Sequence, residues 1–326
     1  MYLFHRARLL AATTLVLTYA YSTAVAARTP LADLTTADLS NLPSVTIVAP
    51  KPPTAKQLAG ESVPHFIEAH GMGTPTIHEL ARWYSGICPK AYGMSQEFDD
   101  FVTARILSIA RRVGAPVPTA AHARCRVNIE VFFTTEPEQT LTLLAKKSPA
   151  ILGYHHSGDL RKLLAFTLPI EARYMTATKN NFNGYSAPDE FYPNLVPGQI
   201  GCVRCLRPPG RIDTRLATDL SSLVQNVLVI VNLRQVAGRT AGEVSDYVAM
   251  IALSPTQAPA SCGKLPSILD EFAKSCDTAR PDAITAGDMA YLRALYAVDL
   301  EESLHLEQAD IGASMMRQFG SVARAQ

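Results

Sequence analysis

The sequence predicts an α/β fold (α+β in layout): one main domain with a mixed sheet and helices packed on it. Three observations carry that expectation. Val227-Leu228-Val229-Ile230-Val231 is an unbroken apolar run rich in β-branched residues, as expected of a central strand buried on both faces. Val127, Ile129, Val131 and Phe133 alternate with Asn128, Glu130 and Phe132, which is a strand pattern. Segments with helical periodicity flank both strands, with the greater number toward the C-terminus.

Taken in order, residues 27–75 are rich in Pro, Thr and Ala. Pro43, Pro50, Pro52, Pro53, Pro64 and Pro75 interrupt any regular pattern, so an extended lead segment is expected. Within it Val45-Thr46-Ile47-Val48 is a short strand former. It could dock on a partner's sheet or pack as an arm on its own domain, and the arm is the expected role. The folded domain is expected over 76–320, with 321–326 as a tail. Ser95 caps a helix over 96–113, where Phe98, Phe101, Val102, Ile106, Ile109 and Val113 share a face and Gly114 and Pro116 stop it. After the alternating strand, 136–147 reads as a helix ended at Ser148-Pro149, and 160–178 as a short helix and a strand around 171–177.

Residues 179–211 hold many Asn, Gly and Pro and read as a long irregular loop. Beyond the central strand, Thr240-Ala241-Gly242-Glu243 is a capping box for a helix that carries Val244, Tyr247, Val248, Ile251 and Ala252 on one stripe and ends at Pro255. Further helices are expected over 265–275, from Thr285-Ala286-Gly287-Asp288 onward, and over 304–319.

Of 326 residues, 48% are hydrophobic and 18% charged, enough apolar material for a sizeable core. Lys+Arg number 30 and Asp+Glu 29, a balance that speaks against a nucleic-acid partner, because phosphate binding needs clustered cations. His5, Arg6 and Arg8 precede the apolar run Leu9 to Ala20, and Ala24-Val25-Ala26 supplies small residues for cleavage. This is the pattern of a secretory signal peptide over 1–26, with cleavage expected after Ala26 into the periplasm or medium. The run is short for a membrane anchor, which needs about 20 residues, and no later stretch is apolar enough to span a bilayer.

Export gives meaning to the cysteines Cys88, Cys125, Cys202, Cys205, Cys262 and Cys276. An even count in an oxidising compartment favours disulfides, although spacing alone leaves the connectivity open. Sequence neighbours suggest Cys88–Cys125, Cys202–Cys205 and Cys262–Cys276. Cys202-Val203-Arg204-Cys205 has redox spacing, but Gly201 and Pro208-Pro209-Gly210 surround it with loop rather than a helix N-terminus, so a staple is expected.

Familiar chemistries are missing from the chain. It holds no phosphate-binding glycine loop and no G-x-S-x-G elbow. His78-Glu79-Leu80-Ala81-Arg82 starts like a zinc helix but has Arg where the second His must sit. His155-His156 are adjacent, so their side chains diverge. Asp99-Asp100 and Glu301-Glu302 read as solvated helix faces. No cofactor and no metal site is expected.

Val227–Val231 followed by Ser245-Asp246-Tyr247-Val248-Ala249-Met250-Ile251-Ala252-Leu253 resembles the strand and active-site helix of zincin-type metallopeptidases, where the helix reads H-E-x-x-H-A-x-G-L. On that resemblance Asp246, Tyr247 and Met250 replace His, Glu and His, so the zinc grip and the general base would be lost. Asp288-Met289-Ala290-Tyr291-Leu292-Arg293-Ala294-Leu295-Tyr296 resembles a D-x-x-x-L-x-x-L-Y element of secreted zincin-like bacterial proteins. Cys88-Pro89, Gly93, Arg105, Cys125 and Asn128 are similar to an uncharacterised set of exported alphaproteobacterial proteins, a resemblance that implies no activity. The expected role is a non-catalytic binding or envelope-accessory domain, a pseudoenzyme whose partner is an unidentified protein or small ligand. The alternative is a hydrolase whose site would draw on Asp246 and Tyr247 of the central helix, with Arg173 or Tyr174 from the neighbouring strand.

Overall fold

The computed structural model of the protein describes residues 62–71, 73–74, 76–118, 125–147, 149–153, 160–189, 219–256, 259, 261–276, 279–299 and 303–325. The expected leader, the proline-rich residues up to 61, His155-His156, the Cys202/Cys205 pair and Glu301-Glu302 lie outside them.

The strands are β1 (Ala81–Trp83), β2 (Pro89–Tyr92), β3 (Ile129–Thr134), β4 (Ile170–Asn180), β5 (Ser186–Pro188) and β6 (Leu220–Asn232). They form one mixed sheet in the order β2-β3-β6-β4-β5, with β1 also paired to β6. β1 and β3 run parallel to β6 and β2 parallel to β3, whereas β4 and β5 are antiparallel. The helices are α1 (Val63–His70), α2 (Gln96–Val113), α3 (Pro137–Lys147), α4 (Leu160–Leu164), α5 (Ala241–Leu253), α6 (Ala286–Ala297) and α7 (Leu304–Ala325). Two 3-10 turns, Pro149–Leu152 and Ile268–Phe272, complete the described elements.

β6 is the hub. Because successive side chains of a strand point to opposite faces, its apolar run serves two cores. Val227, Val229 and Val231 join the larger core with α2, α5 and α6, while Leu228 and Ile230 face Leu141, Ala145 and Leu152 on the other side. Helices therefore cover both faces, as a near-continuous apolar strand requires. Local signals set the helix bounds. Ser95 Oγ accepts from Phe98 N, and Gly114, at φ 81°, closes α2 with its N–H on Ala110 and Arg111 carbonyls. Thr240 with Glu243 and Thr285 with Asp288 form complete capping boxes at α5 and α6.

Four sequence expectations change. Val63–His70 is helical inside the stretch read as extended: Pro64 sits in the first turn, where its missing N–H is tolerated, and Val63, Phe66, Ile67 and His70 are buried, with α1 packed on α7. Phe101 is exposed rather than part of the α2 stripe. The helix expected over 265–275 contracts to the 3-10 turn Ile268–Phe272, because Pro266 and the Ser267/Asp270 capping box delay its start and Cys276 must return to Cys262. Ser186–Pro188, inside the stretch read as an irregular loop, is strand β5, while His78-Glu79-Leu80-Ala81-Arg82, dismissed above as a zinc helix, leads into strand β1.

Cys88–Cys125 and Cys262–Cys276 are disulfides, and two such bridges fit an oxidising compartment. Among the described residues no helix is long and apolar enough to cross a membrane.

Candidate functional site

The C-terminal end of α5 organises the region. The last turn of a helix leaves carbonyls without intrahelical donors. Here each finds one. Ser254 N–H donates to Met250 O, Tyr174 Oη to Ile251 O (2.8 Å), Trp83 Nε1 to Ala252 O (2.8 Å) and Tyr296 Oη to Leu253 O (2.7 Å). Three aromatic side chains from β4, β1 and α6 thus bind three consecutive carbonyls. Burial holds the phenols of Tyr174 and Tyr296 above their ordinary range, so both stay protonated and donate.

Beside this helix end a cleft of about 550 Å³ opens along β4. Leu152, Leu163, Leu168, Ile170, Ile251 and Pro255 give it apolar walls. Its volume lies within the range of about 300–1,000 Å³ usual for small-molecule sites. β5 pairs with Ala177–Lys179 of β4, and among the described residues no strand covers that edge of the β4 segment before them, which faces the cleft. Gly153 approaches that edge closely. It has φ 67°, and a Cβ placed there would lie 2.4 Å from Tyr174 O, so glycine alone fits.

Tyr247 lies 1% exposed on α5 and lines the cleft, its ring edge-on to Phe272 at 5.0 Å. Among the described residues its hydroxyl makes no hydrogen bond. Burial first, and then the Glu171 charge, hold the phenol above its ordinary range, so it presents an O–H donor. The ring is enclosed while the hydroxyl keeps some accessible surface, which leaves it an open donor at the cleft wall.

Two of the charged groups at the cleft, Glu171 and Arg173, are already engaged. Glu171 accepts from Thr167 N, Thr167 Oγ1 and Leu168 N through one oxygen and from Arg173 Nη2 through the other. These bonds and the Arg173 charge outweigh desolvation and hold its carboxyl below the usual range, although desolvation is the largest single influence. Arg173 also donates to the carbonyls of Leu163, Ala165 and Ala172, fastening the segment after α4 to β4.

The structure therefore brings three of the four candidates, Arg173, Tyr174 and Tyr247, to one cleft and places the fourth elsewhere. Arg173 is a brace and Tyr174 a helix cap; only Tyr247 has a free functional group. Asp246, 0% exposed, receives a bidentate pair from Arg105 of α2 and the N–H of Ile284. Neighbouring positions on a helix diverge by about 100°, which separates Asp246 from Tyr247. The zincin resemblance of this segment is not supported. Asp246 clamps α2, Tyr247 faces the cleft and Met250 lies in the core, so each aligned position has a role of its own in this fold. Among the described residues no three His, Cys, Asp or Glu side chains are grouped to hold a metal ion. No protein-family model, curated protein or solved structure matches the chain. Sequence reasoning missed Leu152, Gly153 and Lys162, which reach the cleft only through tertiary packing and carry no local signal.

A smaller cavity of about 300 Å³ lies between α1 and the Cys262–Cys276 loop, lined in part by Phe66, His70, Leu265 and Asp270. His70 stacks on Phe66 at 3.9 Å and donates from Nδ1 to Phe66 O, while its enclosed Nε2 has no partner. Burial pulls its pKa below the ordinary 6.5 against smaller opposing effects of Phe66 and Asp270. The unfolded chain then takes up the proton first, so this contribution to stability is present above pH 6.5 and is lost as pH falls through the lowered folded value. Asp270, Asp288, Glu271 and Glu130, whose pKa values are raised by burial, act in the opposite sense on acidification. His70→Phe is therefore expected to reduce the loss of stability between pH 7.5 and 5.5 relative to the parent, read as the difference in urea midpoints. An unchanged difference would show that His70 is not buried in its neutral form.

Proposed function

We propose that this is an exported binding domain that holds a small, largely apolar ligand in the cleft beside β4 and the end of α5. The observation that carries the reading is the Tyr247 hydroxyl: at the end of a buried ring, without a hydrogen bond among the described residues, and on the wall of an apolar cleft of ligand size. A ligand with a hydrogen-bond acceptor would satisfy it. Binding rather than turnover is supported by the engagement of Glu171, Arg173 and Tyr174 in holding the walls, since an acid or base needs a proton position open to substrate. Secretion through a leader cleaved after Ala26 completes the proposal, supported by the basic, apolar and small-residue pattern and by the two disulfides.

A fluorinated-fragment screen by ¹⁹F NMR on the full chain tests this. Fragments carrying a carbonyl or ether acceptor are expected to bind. Tyr247→Phe, which keeps the ring, is expected to weaken them about tenfold, because the acceptor is then left buried and unsatisfied. Ala165→Trp, at an exposed position on the cleft wall, is expected to block them. Fragments that bind both variants as tightly as the parent would place the site elsewhere.

A further inference from the structure

We infer that the ligand is an apolar monocarboxylate, its tail in the cleft and its carboxylate held by donors on the wall; this rests on the binding role given above. The inference comes from an imbalance between donors and acceptors. Three carbonyls that could have greeted a donor, those of Leu163, Ala165 and Ala172, are all taken by Arg173. Among the described residues the one carboxylate on the wall, Glu171, has both oxygens engaged.

Among the described residues the unengaged side-chain groups on the wall are donors. Tyr247 offers its O–H. Lys162, exposed on α4 at the rim, has no acidic partner among the described residues. The β4 edge adds backbone N–H groups, while the Tyr174 carbonyl on the same edge is packed against Gly153. Val227 N–H donates to Asn128 on the β3 side, so Tyr174, paired with Val227, belongs to a non-hydrogen-bonded pair and turns its N–H away from β6. By the two-residue alternation Ala172 does the same, as the contact of its carbonyl with Arg173 shows. A wall with an unpaired ammonium, a phenol and edge amides complements an anion that has two acceptor oxygens. The apolar side chains around them exclude a small hydrophilic anion as the best fit, because it would leave Leu152, Leu168 and Ile251 against water.

Titration calorimetry on the full chain with octanoate, octanol and octylammonium, three ligands of equal tail, tests the head group. Octanoate is expected to bind about tenfold tighter than octanol, since hydrogen bonds to a charged acceptor are roughly twice as strong as neutral ones. Octylammonium is expected to bind most weakly. Lys162→Gln, an exposed substitution, should weaken octanoate about two- to fivefold and leave octanol unchanged, the scale of an exposed ion pair. Tyr247→Phe should weaken octanoate about tenfold. Octanol or octylammonium binding as tightly as octanoate, in a manner blocked by Ala165→Trp, would overturn the carboxylate and leave the binding role intact. Fragment binding without octanoate binding would do the same. Absence of both fragment and octanoate binding would remove both.

Discussion

Arg105→Met is expected to cost about 3–5 kcal/mol of stability, more than Asp246→Asn, although Asp246 is the more buried partner. The asymmetry follows from exposure. The Asp246 carboxylate is fully enclosed, and without Arg105 it keeps, among the described residues, the Ile284 N–H alone as a donor, so a buried charge is left nearly uncompensated. The Arg105 side chain is 34% exposed and can turn to water when its partner is lost. Asp246→Asn should therefore cost about 1–3 kcal/mol, the scale of a disrupted buried hydrogen bond. The double variant Arg105→Met/Asp246→Leu should recover much of the loss, because two apolar groups leave no charge to strand. Urea denaturation of the three variants gives the order. Asp246→Asn proving the most damaging would mean that the carboxylate does something other than anchor α2 to α5.

Reduction of the disulfides is expected to have a comparable effect. Cys88–Cys125 spans 37 residues and Cys262–Cys276 spans 14. On the chain-entropy model the longer loop is worth ~4 kcal/mol and the shorter ~3 kcal/mol. A domain of ordinary stability, about 5–15 kcal/mol, would lose a large share of it when both open. The Cys88–Cys125 bridge matters structurally as well, since it joins the start of β2 to the chain entering β3, and Asn128 Oδ1 accepts from Cys88 N at 2.7 Å beside it. Cys88→Ser/Cys125→Ser should thus lower the melting temperature more than Cys262→Ser/Cys276→Ser. Melting curves with and without dithiothreitol measure both. No shift on reduction would contradict a fold stapled for an oxidising environment.

What could be read from the chain was what its neighbours in sequence decide. Ser95 with Gly114, Thr240 with Glu243 and Thr285 with Asp288 are local signals, and the helices they bound stand where the pattern puts them. The double-sided burial of Val227–Val231 was legible for the same reason. β1 and β2 were not, since three or four residues carry too little alternation to be seen before β6 and β3 pair with them. The site was half legible. Tyr174 and Tyr247 stand at the cleft, but Leu152, Gly153 and Lys162 also line it, and the segment after Lys162 is fastened by Arg173 through the Leu163 carbonyl. Asp246 looked like chemistry because it sits on the central helix; its partner lies 141 positions earlier, beyond any local pattern.

The aromatic caps on Ile251, Ala252 and Leu253 have a consequence for how this segment can change over time. Substitution within it can be absorbed, but insertion or deletion cannot. One residue added between Asp246 and Ile251 would rotate the downstream turn by about 100° and advance it by about 1.5 Å. If the Arg105 clamp kept its register, the three carbonyls would then swing away from Tyr174, Trp83 and Tyr296 together. If the carbonyls kept theirs, the clamp would open instead. The spacing between the two anchorages is thus fixed to the residue, and relatives of this domain should vary in the identity of these positions while holding their number constant.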